Sequence, residues 1–261
     1  MTALEVSIER KVYARARGGG VTALEGLRFS VAENDFVCIL GPSGCGKTTA
    51  LNLIAGLDTD FQGEITLGGA AAGRRLAYVF QTPRLLPWRS AIDNLTLAAG
   101  SGPAVQAKCR ALLAEVGLGG YEDAFPAQLS LGMQRRAALA RAFAVEPGLL
   151  LMDEPFVSLD EATAIRLRAL LLTLWRERPA TVLFVTHDVR EAIQLGQRLL
   201  VLSASPARLV ADLRVPLSLA ERADPQALDA FRKEKLGFLA EARAPADPAL
   251  YDNHMNRAFR P

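Results

Sequence analysis

The sequence predicts an α/β fold with a mostly parallel sheet, a helical subdomain inserted at about residues 83–147, and a short C-terminal extension. Three observations predict it. Short apolar, strand-like runs alternate with segments of helical period, which implies parallel strands joined by right-handed crossovers. One such run, Phe36–Leu40, leads straight into a glycine-rich loop and then a helical segment. From residue 82 to about 147 the texture turns to alanine- and leucine-rich helical periodicity. The main domain is expected over residues 1–215 and the extension over 216–261.

Taken in order, residues 5–13, 27–31 and 36–40 read as strands. Residues 49–56 read as a helix closing on Gly56, the residue type that best accepts the left-handed conformation after a helix. Residues 63–67 and 76–80 read as two further strands, and 104–116 and 131–144 as the clearest helices. Residues 149–152 form a continuous apolar run between a proline and two carboxylates, as suits a strand buried on both faces. A helix at 161–177, a strand at 181–186, a helix at 189–196 and a strand at 198–203 follow, so the helical stretch is expected between two halves of the sheet. Beyond Pro216 the pattern weakens, although Leu228, Phe231, Lys235 and Leu239 share one face of a short helix.

Composition narrows the function classes. Half of the 261 residues are hydrophobic and 22% are charged, which supports a sizeable core and argues against global disorder. A net charge of +2 is too mild for a nucleic-acid binder, so no nucleic-acid partner is expected. Cys38, Cys45 and Cys109 form no CxxC pair and no metal-ligand spacing with His187 and His254, which fits a reducing cytosol better than a disulfide scaffold. The first twenty residues carry charges where a secretion signal needs an apolar stretch. No uncharged apolar run approaches the ~18–20 residues that span a bilayer. Any membrane role is therefore expected to come through a partner.

The loop Gly41-Pro42-Ser43-Gly44-Cys45-Gly46-Lys47-Thr48 matches GxxxxGK[ST] in full, between a strand and a helix. Glycines let successive backbone N–H groups turn inward toward phosphate oxygens, and the helix N-terminus adds a favourable dipole. Lys47 supplies a cation to the β- and γ-phosphates and Thr48 a hydroxyl to Mg²⁺. All eight loop residues, with Thr49 after them, are expected to surround the nucleotide. A plain glycine-rich turn is the rival, and four matched positions in the right context outweigh it. Cys45, close to a helix N-terminus and to Lys47, is expected to have a lowered thiol pKa and to react with maleimide.

Asp153 and Glu154 end the apolar run at 149–152. Strand C-termini of a parallel sheet open onto the ligand crevice, so both should face the nucleotide. Asp153 is expected to hold Mg²⁺ and Glu154 to polarise the attacking water. His187 ends another apolar strand and could donate to the γ-phosphate while fixing Glu154. Gln81 ends the strand at 76–80 and could reach Mg²⁺ or the water through its amide. An isolated histidine or glutamine of this kind is more often structural. It is the company of the loop that favours a role.

The run Leu129-Ser130-Leu131-Gly132-Met133-Gln134-Arg135-Arg136 resembles the signature of the ABC transporter ATPases, LSGGQ in its common form. Phosphate loop, Gln81, signature, the Asp153–Glu154 pair, a Ser158-Leu159-Asp160 turn like the family's D-loop, and His187 occur in that family's order. The resemblance runs from about residue 13 to 206. It implies a P-loop ATPase that binds ATP and Mg²⁺ and stacks head to tail with a second ATPase subunit. Each ATP would then lie between one subunit's phosphate loop and the other's signature. Ser130 and the N–H of Gly132 would meet the γ-phosphate held by the opposite subunit, with Asp160 nearby. A Ser-x-Gly at a helix start also suits an anion on physical grounds, or simply a good N-cap. Tyr13 sits where the family stacks adenine, with a core or edge-strand role as its alternative.

The segment LLPWR, Leu85 to Arg89, is similar to importers of the nitrate, sulfonate and taurine group. That implies transmembrane permease subunits, indirectly a solute-binding protein, and a peripheral place on the cytoplasmic face of the cell membrane. Leu85, Leu86 and Trp88 either line the groove for a coupling helix of the membrane subunit or form ordinary core. The alternatives are an ABC ATPase of another transporter class, a non-transport ABC ATPase, and a P-loop kinase. A non-transport ABC ATPase would need a coiled-coil insertion or a second cassette, for which 261 residues leave no room. A kinase has no use for the signature. The clear departure from the family pattern is Leu131, where a glycine is usual.

Overall fold

The computed structural model describes residues 1–14, 19–69, 71 and 75–238. His254 and Leu239 lie outside the described residues, as does the second half of the expected C-terminal extension. The first strands are β1 (Thr2–Ala14), β2 (Gly20–Ala32) and β3 (Phe36–Leu40), followed by helix α1 (Lys47–Ile54), β4 (Gln62–Leu67) and β5 (Leu76–Val79). The helical insertion contributes α2 (Ala91–Ala99), α3 (Pro103–Glu115), a 3₁₀ turn (Pro126–Gln128) and α4 (Leu131–Ala144). Then come β6 (Leu149–Asp153), α5 (Glu161–Glu177), β7 (Thr181–Thr186), α6 (Val189–Leu195), β8 (Arg198–Leu202), β9 (Leu209–Arg214), α7 (Leu219–Ala223) and α8 (Pro225–Leu236).

Two sheets form where one was expected. The six-stranded sheet has the order β5-β6-β7-β3-β8-β9, parallel except for β9, which runs antiparallel on β8. The other three strands make a separate antiparallel sheet, β2-β1-β4. The difference follows from burial. In β3, β6 and β7 every residue is buried, as a strand covered on both faces requires. Strands β1 and β2 are buried only at part of their length, with pairs such as Leu4 opposite Val31 and Ile8 opposite Leu27 on the covered face. The insertion does not separate two halves of the parallel sheet. It leaves from β5, at the sheet's edge, and returns to its immediate neighbour β6.

Alternating side chains of the central strands feed two cores. Phe36, Cys38, Met152, Val182 and Phe184 pack beneath helices of the insertion and α5, α6 and α8. Val37, Ile39, Leu151, Leu183 and Val185 face α1 and the antiparallel sheet. Phe36 meets Trp175 edge-on, with ring centroids 5.4 Å apart, and Phe184 at 6.0 Å. Each fully buried side chain of this size contributes about 1.5–3 kcal/mol through removal from water.

Most element ends lie within three residues of the sequence expectation, but β2 begins at Gly20 rather than at residue 27, and α2, β9, α7 and the 3₁₀ turn were not anticipated. Helix α2 starts at a Ser90 cap that accepts from the Asp93 N–H, and β9 extends the sheet edge. In α8 the buried residues are Leu228, Phe231 and Leu236, whereas Lys235 is exposed. The helical period puts the adjacent apolar residue on the packed face instead. Arg222 fastens the extension by donating to the carbonyls of Ile193, Gly196, Val215 and Leu217. Among the described residues, no helix is long and apolar enough to cross a membrane. All three cysteines are free and buried.

Candidate nucleotide-hydrolysis site

The phosphate loop leaves the end of β3 and closes into α1. Gly44 and Gly46 hold positive φ of 76° and 123°. A Cβ on Gly46 would sit 2.8 Å from Leu24 Cδ2 and 3.0 Å from the Ala23 carbonyl oxygen, so the position admits no side chain. Pro42, Ser43 and Gly44 form an exposed rim, with Thr49 half-buried behind it. Lys47 is 4% exposed and donates to the carbonyls of Gly41 (2.9 Å) and Pro42 (2.8 Å). Thr48 Oγ1 donates to Asp153 Oδ1 at 3.1 Å. Burial pushes the Asp153 carboxyl above its ordinary range, and the Thr48 hydrogen bond works against that shift.

Cys45 departs from expectation. It is buried among the second core's apolar side chains, and that burial pushes its thiol pKa up, outweighing the pull of Lys47.

Parallel pairing of β6 with β7 brings Glu154 and His187 together, one residue beyond each strand end. Glu154 adopts φ 43°, the left-handed region that a glutamate rarely occupies, and its N–H donates to the Val185 carbonyl at 3.0 Å. Its carboxylate is held from two sides. Oε1 lies 3.5 Å from Lys47 Nζ, and Oε2 lies 2.9 Å from His187 Nδ1. Gln81 is exposed, two residues past the end of β5, and among the described residues no hydrogen bond joins it to Thr48, Asp153 or Glu154.

Tyr13 is not a core residue: it is 41% exposed. Lys11 Nζ lies 4.7 Å from its ring centroid, and its hydroxyl is 3.5 Å from Thr49 Oγ1 and 3.3 Å from Asp58 Oδ2. Lys11 itself is buried and bridges to Asp58 at 2.9 Å, which holds the Asp58 carboxyl below its usual range. The residues of the signature sit at the start of α4. Ser130 caps α4, accepting from the Met133 N–H at 3.3 Å, and Leu131 opens the helix 47% exposed. Gly132 follows with room for a Cβ, the nearest atom being Thr163 Cγ2 at 3.5 Å. Asp160 caps α5 by accepting from the Thr163 N–H, and hydrogen bonds from the Thr163 hydroxyl and then its N–H lower the Asp160 carboxyl pKa. Among the described residues, no hydrogen bond ties Ser130, Gly132 or Asp160 to the phosphate loop.

The segment after β5 divides in the same way. Leu85 packs on the core, and the Leu86 N–H donates to Asn94 Oδ1, but Trp88 is 69% exposed. Phe80 stacks on Tyr78 with centroids 4.1 Å apart, and Arg84 lies over Phe80 at 3.9 Å. Beside them runs a cleft of about 450 Å³ lined by Phe80, Arg84, Leu86, Asn94 and Leu97.

A sequence model of a family described as ABC transporter matches residues 24–157. The chain belongs to the ABC transporter family. Within that family it is an ATP-binding ATPase. An aliphatic sulfonates import ATP-binding protein from Burkholderia cenocepacia (strain HI2424) is 42% identical over 257 residues, covering 94% of this chain and 91% of that protein. A protein of the same description from Bacillus subtilis (strain 168) is 39% identical over 211 residues, covering 79% and 82%. A dimeric bacterial ABC transporter cassette aligns with a TM-score of 0.72 at 28% identity, over 82% of this chain and all of that one. A dimeric cassette in a post-hydrolysis state with ADP and Pi aligns with a TM-score of 0.70 at 27% identity, with the same coverage.

For an ABC ATPase, two residues of this chain matter to the geometry and were not singled out in sequence. Lys11 under Tyr13 is one, and its position two residues before Tyr13, on the same strand face, was the available signal. Arg135 is the other. It sits within the signature run, but nothing in sequence says that its side chain turns inward.

Proposed function

We propose that this ABC ATPase powers import of a small anionic solute, of the nitrate, sulfonate or taurine class, through separate transmembrane permease subunits. The observation that carries ATP hydrolysis is the Glu154 carboxylate held between Lys47 and His187 beside the Thr48–Asp153 pair. The import reading is supported by the two sulfonate-import relatives, by the exposed Trp88, and by a groove that Phe80, Arg84 and Leu86 of the same segment line.

In this reading Lys47 exchanges its loop carbonyls for the β- and γ-phosphates, and the N–H groups at the start of α1 receive phosphate oxygens. Glu154 orients the attacking water and takes its proton, while His187 holds the carboxylate in place and presents its other ring nitrogen toward the γ-phosphate. Thr48 and Asp153 bring two hard oxygen donors together, the donor type that Mg²⁺ takes alongside substrate phosphates, with Gln81 as a further candidate. Mg²⁺ bound there would neutralise charge on the phosphates during transfer. Tyr13 offers an exposed ring for adenine. Two copies pack head to tail, so that Ser130, Gly132 and Asp160 complete the partner's site. The assembly lies on the cytoplasmic face of the cell membrane, fed by a solute-binding protein.

Deleting the gene in its source organism tests the solute class. Growth on an alkanesulfonate or taurine as sole sulfur source, or on nitrate as sole nitrogen source, should fail. The intact gene should restore it and a Lys47→Ala copy should not. Unimpaired growth on all of these would exclude this class while leaving ATP hydrolysis untouched.

A further inference from the structure

Arg135 is 7% exposed on α4, yet it faces no carboxylate among its hydrogen-bond partners. Its guanidinium donates through Nη1 to the Pro155 carbonyl and through Nη2 to the Val157 carbonyl, the latter at 2.6 Å. Its Nε is buried without a partner among the described residues. A buried cation spent on two backbone carbonyls is an expensive way to pin a loop, since burial penalises the charge and even lowers this guanidinium's pKa. The pinned loop is a particular one. It starts at Glu154 with φ 43° and ends at Ser158 with φ 62°, so both flanks of the clamped carbonyls hold conformations that their residue types disfavour.

The other end of the connection is the exposed start of α4. Ser130 caps that helix, and Arg135 lies five residues on, roughly 7–8 Å along the axis. A helix end and its second turn move as one body, and here the Gln134 N–H donates to the Ser130 carbonyl at 2.9 Å, tying the cap to the turn that follows. An anion arriving at Ser130 and Gly132 therefore acts on the same rigid segment that grips the turn of Glu154.

We propose that Arg135 is a positioning residue for hydrolysis, holding Glu154 in its left-handed conformation and linking it to the state of the Ser130–Gly132 helix start. The proposal rests on the reading that Glu154 is the base and that the helix start meets nucleotide from a second subunit. It adds a route within one chain from the contact made for the partner's nucleotide to the carboxylate serving its own.

The test compares Arg135→Met and Arg135→Lys in the full chain, by steady-state hydrolysis of Mg-ATP and by melting temperature. The expected result is a fall in kcat of tenfold or more for Arg135→Met, with KM within about twofold. Arg135→Lys, which can reach one carbonyl, should recover part of the loss. In a Glu154→Gln background, Arg135→Met should leave ATP-driven dimerisation at the same ATP concentration. Two results would overturn the proposal: kcat within twofold of the parent for both variants, or a loss of turnover in both that tracks lowered melting temperature and weakened nucleotide binding together. If Arg135→Met does not fold, Arg135→Lys alone decides by the same criteria. Normal turnover in Glu154→Gln would instead bring down the reading of Glu154 on which the proposal stands.

Discussion

Helices α1 and α4 both begin where a loop turns into a helix, and both starts are glycine-bearing, yet their first turns are finished differently. At α1 the cap is Gly46, with no side-chain hydrogen bond to the first N–H groups and no acidic residue in the first turn. Those donors are left for an acceptor from outside the chain, which is what a phosphate-binding helix needs. At α4 the Ser130 hydroxyl already accepts from the Met133 N–H. A cap of this kind is worth about 1 kcal/mol to its own helix. The first helix start is open to an anion and backed by a buried lysine. At the second, Ser130 already takes the Met133 N–H, so an anion there competes with an existing hydrogen bond.

The comparison breaks first at Lys47. Lys47→Ala removes the cation behind the open helix start, and ATP turnover should fall by roughly a hundredfold or more. Near-normal turnover at saturating Mg-ATP would show that α1 is not the anion site. Glu154→Gln keeps the shape of the side chain and removes the base, which typically costs about 10²–10⁴-fold. Gel filtration with ATP should then show a stable dimer. A protein that stays monomeric under those conditions argues against two subunits sharing nucleotide.

Smaller effects sharpen the contrast at α4. Gly132→Asp should cut turnover strongly while the fold survives, because a Cβ there meets only Thr163 Cγ2 at ordinary contact distance. The damage would come from a carboxylate facing the partner's γ-phosphate, and unchanged turnover would remove the signature from the mechanism. Leu131→Gly should change turnover only a few-fold, since the Leu131 side chain already points into solvent at the helix start. A gain of orders of magnitude would mean that this side chain obstructs the site. The smallest effect is expected at Cys45. Its buried thiol, with pKa pushed up, should label slowly with maleimide at neutral pH, and time-resolved mass spectrometry with and without ATP would measure it.

What could be read from sequence had a local cause. Phe36–Leu40, Thr181–Thr186, Leu131–Ala144 and Glu161–Glu177 match expectation because an apolar run or a helical period marks them without reference to the rest of the chain. The placement of β1, β2 and β4 in their own sheet is a matter of long-range pairing, on which their residues are silent. Strand β9 is half-exposed at an edge, with an irregular pattern that offers no period to read. The same division holds at the site. Lys47, Thr48, Asp153 and Glu154 follow from motif and strand end, and His187 meets Glu154 because β6 and β7 are neighbours. The burial of Cys45 depends on what packs over the loop, and the inward turn of Arg135 on a loop twenty residues away.

The parallel sheet anchors its two active loops unequally. The phosphate loop hangs from β3, which is hydrogen-bonded to β7 on one side and β8 on the other. Gln81 and Trp88 follow β5, four residues long and, among the described residues, paired only with β6. Measured by amide exchange, β3 protons should escape only when the whole domain unfolds, whereas those of β5 should escape through a smaller, local opening. The loop with the phosphate-binding motif is thus moored to a central strand of the sheet, and the segment carrying Trp88 to one of its edge strands. A push at Trp88 would be taken up by the edge before it could disturb the centre.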